Sequence, residues 1–371
     1  MNPQSAIRNS RFDQILIRGV NWLGDAVLTT PALMRLREIF PRAQITLLTP
    51  EKLKDLWAGH PAVNETISFA DGESIFSVER KLRAGKFDLA LVLPNSPRSA
   101  MEPWLARIPQ RIGYARPWRN WFLTRAVPPR IGAVKMQKRS IGDIKRLISQ
   151  LPTPNSQLPT TGHQIHEYLH LAAILGADPG PLAPQLFVSS DEIETAKKKF
   201  GLDQITQPVF GLNPGAEYGP AKRWPIERFI AAAKETQQRS NCGWLIFGAA
   251  ADMPIASQIE SAIGNRQSPL FNLAGKTSLR ELMALLKYCR VLLTNDSGPM
   301  HVAAALGTPV VAPFGSTSPE LTGPGLPGDP RHRLLKSDAP CSPCFLRECP
   351  IDFRCMTGIA VENIVEALIK A

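Results

Sequence analysis

Twice along this chain, short runs rich in leucine and β-branched residues alternate with amphipathic stretches, and that alternation narrows the fold more than any other feature. In the N-terminal half the order is QILIRGV, AVLTTPALMRLREIF, QITLLTP, ETISFA, IFSVERKLRAG and FDLALVL. Short continuous apolar runs read as strands buried on both faces, and the longer periodic stretches between them as crossover helices. The segment 128–162, rich in Pro, Gly, Ser and Thr, reads as linker or surface loop. HQIHEYLHLAAILGA, 163–177, has helical spacing. After the acidic helix DEIETAKKKFG the alternation restarts with PVFGLNPG, PIERFIAAAKETQQ, GWLIFG, MPIASQIESAI, LRELMALLKY, RVLLTND, PMHVAAALG and TPVVAPFG. A chain of 371 residues exceeds one ordinary core. The expected class is therefore α/β, with two doubly wound parallel-sheet domains at 1–180 and 181–371 facing a cleft. Ligands of such sheets sit beyond the carboxyl ends of the strands. The last helix, GIAVENIVEALIK, could pack on either half.

Composition limits the partners. A hydrophobic share of 44% with 20% charged residues is that of a globular chain, and no apolar run approaches the ~20 residues of a membrane-spanning helix. The N-terminal MNPQSAIRNSRFDQ lacks the apolar core of a signal peptide, so a cytoplasmic location is expected. A formal net charge of +11 points to an anionic partner: nucleic acid, a phosphorylated small molecule or an acidic membrane surface. The stretch 107–130 mixes arginines with two tryptophans, a tyrosine and a phenylalanine. It reads either as a solvated loop or as an anion-binding or membrane-interface surface.

Two strand-to-helix corners carry candidate chemistry. In the first, ILIRG ends in a turn with Gly24 and Asp25, and a helix follows at once. Asp25 falls where a helix N-cap belongs, so it either caps or faces the cleft as a reactive carboxylate. In the second, RVLLT leads through Asn295, Asp296, Ser297 and Gly298 into a helix with Pro299 in its first turn. Such a start offers free N–H groups and a partial positive charge that suit a phosphate. Asp296 then suits a loop-ordering or ribose role, and His301 lies one turn further on, either satisfied in the helix or facing the same ligand. The loop NPGAEYGPAKRWP, 213–225, holds Lys222 and Arg223 before Trp224, either as surface cations or as a site for a diphosphate leaving group.

Two other motifs suggest metals. His166-Glu167-Tyr168-Leu169-His170 matches the H-E-x-x-H of zinc hydrolases, in which two histidines one turn apart bind zinc and the glutamate acts as base. Cys341, Cys344, Cys349 and Cys355 fall within fifteen residues, and read as a structural metal site or as a reduced, tucked loop. A nucleotide-binding or scaffold protein with a metal in that loop is the non-catalytic reading. No G-x-G-x-x-G follows the first strand and no G-x-x-x-x-G-K-[ST] occurs, which argues against a dehydrogenase or a P-loop enzyme.

The set GDAVLTTPAL, NPGAEYGPAKRWP, TNDSGPMHVAAALGTPVVAPFGST and CSPCFLRECP resembles the ADP-heptose:lipopolysaccharide heptosyltransferases of glycosyltransferase family 9. The midchain and cysteine segments look like the type II branch. The resemblance implies a GT-B fold of two Rossmann-like domains, the C-terminal one holding ADP-heptose and the N-terminal one the acceptor. It implies inverting transfer of L-glycero-D-manno-heptose to the first inner-core heptose of Kdo-lipid A, with no cofactor and no metal for the chemistry. By the same resemblance Asp25 matches the general base and Lys222 the cation on the diphosphate. Asp296, Ser297, Gly298 and His301 match the nucleotide-sugar loop, Gly215 and Ala216 further phosphate contacts, and Asp252 the acid that holds the ribose. The implied partners are ADP-heptose, the heptosyl-Kdo-lipid A acceptor and an anionic membrane surface, not nucleic acid. The location would be peripheral, on the inner face of the inner membrane, and the two domains would close before reaction.

Overall fold

The computed structural model describes residues 12–149, 159–264 and 268–371. The N-terminal stretch through residue 11 and the LPTPNSQL part of the expected linker lie outside the described residues. The chain divides into two compact units. One runs to Ala133 and resumes at Gln164–Phe187; the other takes Val134–His163 and Val188–Ala371. Where the composition suggests one break near 180, the chain thus passes between units three times, at 133/134, 163/164 and 187/188.

The first unit contains β1 (Gln14–Arg18), α1 (Leu23–Ile39), β2 (Gln44–Pro50), β3 (Glu65–Phe69), α2 (Ile75–Ala84), β4 (Leu89–Val92), α3 (Pro97–Leu105), β5 (Gln110–Tyr114) and β6 (Arg125–Val127). The helix α4 (Ile141–Ser149) falls inside the segment read as linker and belongs to the second unit; α5 (Ile165–Ala173) returns to the first. All strands pair in parallel in the order β3-β2-β1-β4-β5-β6. Ile15, Leu16 and Ile17 on β1 are fully buried, which is why that strand reads as an unbroken apolar run. The helix α1 is buried along most of its length because α5 packs on it. Pro31 within α1 removes the N–H that Val27 O would accept, and the Thr30 hydroxyl donates to that oxygen at 2.8 Å instead.

The second unit repeats the plan. After α6 (Ser190–Lys199), opened by a Ser189–Glu192 capping box, come β7 (Val209–Asn213), α7 (Ile226–Ser240), β8 (Gly243–Ile246), α8 (Met253–Ile263), β9 (Leu270–Asn272), α9 (Leu279–Tyr288), β10 (Val291–Thr294), α10 (Gly298–Ala305), β11 (Val310–Phe314), α11 (Pro319–Thr322), β12 (His332–Lys336), α12 (Arg354–Thr357) and α13 (Val361–Lys370). Strand order is β12-β11-β10-β7-β8-β9, again all parallel. With β7–β12 standing for β1–β6, the two sheets have one topology. In each, strand order reverses at a single place, between β1 and β4 and between β7 and β10, and the loops leaving the carboxyl ends there diverge to leave a crevice. The C-terminal helix α13 buries Ile364, Val365 and Leu368 on α7, β11 and β12, so it closes its own unit.

Candidate active site

Both corners singled out in the sequence lie at these reversal points. In the first unit, β1 leads into α1, whose N-cap is Trp22 with no side-chain cap bond; Asp25 therefore stands in the first turn and is not the cap. Its half-buried carboxylate accepts a hydrogen bond from Gln164 Nε2 at 3.1 Å, and the same amide donates to Tyr168 Oη at 2.9 Å. Both partners come from α5 or the residue before it. Beside Asp25, burial and the nearby carboxylate push the Tyr168 phenol well above its usual range, so it stays a neutral hydroxyl. The carboxylate is thus oriented by an amide and stands in the first turn of α1, where the helix dipole favours a negative charge.

The H-E-x-x-H motif serves this same packing. His170 Nδ1 lies 2.9 Å from Tyr114 Oη, which donates to Glu167 O, and the Glu167 carboxylate pairs with Arg130 at 3.2 Å. A glutamate held by arginine is not a free base, and among the described residues no group of three or more His, Cys, Asp or Glu side chains is placed to hold a metal ion. The zinc-hydrolase reading of His166, Glu167 and His170 therefore gives way to a structural one, with α5 wired to β5.

In the second unit, the loops after β7 and β10 are fastened to each other by Asn295, fully buried. It donates to Pro214 O at 2.7 Å and accepts from Trp224 N at 2.9 Å. Asn213 reaches Thr294 Oγ1 at 3.2 Å and Ser297 Oγ at 3.3 Å. These bonds engage the Ser297 hydroxyl, and no side chain caps the first turn of α10, so its leading amides remain available to a ligand. Asp296, 4% exposed, sits beside them. One of its oxygens pairs with Lys222 Nζ at 2.6 Å and accepts from Thr317 Oγ1 at 2.5 Å. The Lys222 ammonium also stands 5.0 Å from the Tyr218 ring centroid.

The residues expected to hold a nucleotide flank this pair. A Cβ at Gly215 would fall 2.3 Å from Asp252 Oδ2, so the missing side chain is what lets Asp252 stand against the β7 loop. Asp252 itself accepts from Ala249 N at 3.0 Å. Ala216 is buried, with its carbonyl 3.2 Å from Arg223 Nη2. His301, 5% exposed, leaves Nδ1 without a partner, and burial pushes it down to about 4 against the pull of Asp296, so it is neutral at pH 7. His60 and His332 are likewise brought to about 4 by burial. Between pH 6.5 and 4 the unfolded chain then takes up protons that the folded chain refuses. Stability should be full above pH 6.5 and fall steeply as pH drops toward 4, with urea midpoints measured across that window as the check. A midpoint flat from pH 7 to 4.5 would contradict the neutral buried state.

All four cysteines of the C-terminal loop are free thiols that line one small cavity with Ile144 and Ala221. Burial raises Cys341, Cys344 and Cys355, the last to about 12. The expected structural metal finds no such group among the described residues. The loop has a visible mechanical role instead: Tyr218 Oη donates to Phe345 O at 2.9 Å and Ala221 N to Arg347 O at 2.9 Å, so it braces the short turn that carries Lys222. The sequence reading missed Asn295 as a fastener, Thr317 and Gln164 as partners of the two carboxylates, and Tyr218. Their positions inside quoted stretches were the one signal: Asn295 and Thr317 in TNDSGPMHVAAALGTPVVAPFGST, Tyr218 in NPGAEYGPAKRWP and Gln164 in HQIHEYLHLAAILGA. Truncating Asn295 to alanine would orphan a buried amide and carbonyl, and should lower stability by about 2–4 kcal/mol in denaturant titration; a change within error would show that the two loops stand independently.

The model of glycosyltransferase family 9 (heptosyltransferase) matches residues 75–353. The chain is 34% identical over 324 residues to lipooligosaccharide heptosyltransferase 2 of Haemophilus ducreyi, covering 84% of this chain and 86% of that one. It is 33% identical over 327 residues to lipopolysaccharide heptosyltransferase 2 of Escherichia coli K12, covering 84% and 85%. The solved structure of E. coli ADP-heptose lps heptosyltransferase II superposes with a TM-score of 0.75 at 29% identity, over 96% of this chain and 98% of that one. Family match, whole-length similarity and two doubly wound parallel domains of the GT-B class agree: the chain belongs to glycosyltransferase family 9, the heptosyltransferases.

Proposed function

We propose that the protein transfers L-glycero-D-manno-heptose from ADP-heptose to the first inner-core heptose of Kdo-lipid A, inverting the anomeric configuration. The observation that carries this reading is the buried Lys222–Asp296 pair beside the uncapped start of α10, at the reversal point of the second sheet. The relatives named heptosyltransferase 2 support the choice of step, and the solved structure named for ADP-heptose supports the choice of donor. Asp25 takes the proton of the acceptor hydroxyl as its oxygen attacks the anomeric carbon, and the bond from that carbon to the diphosphate oxygen breaks. Lys222 and the α10 amides take up the charge on departing ADP, with Gly215 and Ala216 admitting the phosphates closely. Asp252 holds the ribose hydroxyls, while Asp296, Ser297 and Gly298 shape the loop and His301 meets the nucleotide sugar as a neutral imidazole. Asp25 stands on one unit, and Lys222 with the start of α10 on the other.

Among the described residues no helix is long and apolar enough to cross a membrane. The lipid acceptor makes peripheral work at the inner face of the inner membrane the natural setting. The test is incubation with ADP-heptose and three acceptors that end at Kdo, at the first heptose and at the second. Gain of one heptosyl residue on the second acceptor alone is the expected mass-spectrometric result. Gain only on the first or third assigns another step of the same family, and gain on none overturns the reading.

A further inference from the structure

The loop that joins β5 to β6 in the first unit lifts two tryptophans into solvent. Trp118 is 85% exposed and Trp121 88%, although each carries enough apolar surface that burial would be the default. Trp118 stands at φ 63°, a left-handed conformation that bulky side chains seldom adopt without a constraint. The constraint is beneath it. Arg119 is fully buried and donates to Pro94 O at 2.7 Å and to Asn95 Oδ1 at 3.3 Å, rooting the loop in the carboxyl end of β4. Gly113 leaves the room, since a Cβ there would lie 2.9 Å from Arg119 Nη2. On the other flank Phe122 packs edge-on against half-exposed Trp104 of α3, 5.3 Å between centroids. The tip is therefore held outward by a built foundation rather than left loose.

Its surroundings carry one sign of charge. Residues 103–133 contain six arginines and no aspartate or glutamate. Arg107 is exposed, and Arg116 and Arg125 are half-buried. Acids on neighbouring elements are already engaged: Asp88 accepts from Asp13 N and Gln14 N, Glu102 is buried with Arg18 and Arg98, and Glu167 pairs with Arg130. The loop follows β5, so it leaves the same edge of the sheet as the corner that holds Asp25 after β1.

We propose that Trp118 and Trp121 insert into the interface of an anionic lipid membrane, with Arg107, Arg116 and Arg125 meeting the headgroups around them. Tryptophan favours that depth because its ring is apolar while its N–H stays wet, and arginines beside it draw the surface in through a field that salt screens. The choice of a membrane over a protein rests on the lipid-acceptor reading above and on charge complementarity. Docking by this loop puts the acceptor's own surface along the edge where Asp25 stands.

The test uses the full chain without substrates. Sedimentation with phosphatidylglycerol-containing vesicles should carry the protein down, vesicles of phosphatidylcholine alone should carry far less, and raised salt should release it. The variant Trp118→Ser/Trp121→Ser should lose on the order of tenfold in partition to the anionic vesicles. Brominated acyl chains should quench the wild-type fluorescence and not that of the variant. Transfer to a water-soluble core oligosaccharide should be equal in the two proteins. Unchanged vesicle partition in the variant overturns the proposal. So does a variant that loses soluble transfer, which would place the tip in the reaction itself, or one whose only change is self-association without vesicles, which would make the occupant a second copy. If neither protein transfers heptose, the reaction reading fails while the vesicle result stands or falls separately.

Discussion

Asp25→Ala should reduce heptose transfer at least 10²–10⁴-fold while ADP-heptose binds as tightly as before. The acceptor hydroxyl is a poor nucleophile until a base takes its proton, and in the proposed mechanism that task falls to the carboxylate at the reversal point between β1 and β4. Gln164 fixes one oxygen at 3.1 Å, and the neighbouring Tyr168 stays a neutral hydroxyl. Asp25→Asn keeps the shape and the Gln164 contact but cannot accept a proton, and it should be as inactive as the alanine variant. Gln164→Ala should instead leave partial turnover, because it loosens the base without removing it. Single-turnover rates and donor titrations separate these outcomes. Retained transfer in Asp25→Asn, with only the acceptor KM changed, would make the residue a binding group.

The second large effect falls on Lys222. Lys222→Ala removes the cation from a carboxylate that is 4% exposed, so Asp296 is left buried without its ion-pair partner, beside the place proposed for the diphosphate. Affinity for ADP should fall by one to two orders of magnitude, and the rate of transfer by a further 10²–10³-fold, the scale set by loss of one group that meets charge developing in the transition state. Breaking a buried pair also destabilises, by about 3–5 kcal/mol, which would confound a simple activity loss. The double variant Lys222→Met/Asp296→Asn removes both charges together. It should fold with a denaturant midpoint near that of the wild type and still fail in transfer. Lys222→Arg should restore little, because a planar guanidinium does not occupy the place of a compact ammonium between Asp296 and the Tyr218 ring. ADP titration by calorimetry reads the binding part of the effect directly.

What could be read from residues alone follows from where each interaction lies along the chain. The alternation of apolar runs and amphipathic stretches shows both parallel sheets because a strand buried on two faces has no polar side to hide. The two corners were visible for a related reason: glycines, prolines and small polar residues cluster where a strand must turn at once into a helix. Neighbour relations across the chain were not visible. The role of Asp25 as helix N-cap fails because the cap falls three residues earlier, at Trp22. The link from Asp25 to Gln164 spans 139 positions, and that from Asp296 to Thr317 spans 21. The motif at His166–His170 misled for the opposite cause. Its spacing satisfies a helix face, and that face meets Tyr114 and Arg130, whose approach no local pattern encodes. The segment 128–162 reads as linker or surface loop by composition, yet α4 within it buries Ile144 in the core of the second unit.

The most direct test is the configuration at the anomeric carbon of the product. If Asp25 removes the acceptor proton and Lys222 and α10 take up the leaving group, as proposed, a single displacement occurs at that carbon. Transfer from ADP-heptose of known configuration, followed by NMR of the new glycosidic linkage, should show inversion. Retention would contradict the assignment, since it demands either a second displacement at that carbon or attack from the leaving group's own face, and neither follows from Asp25 acting as base in a single displacement.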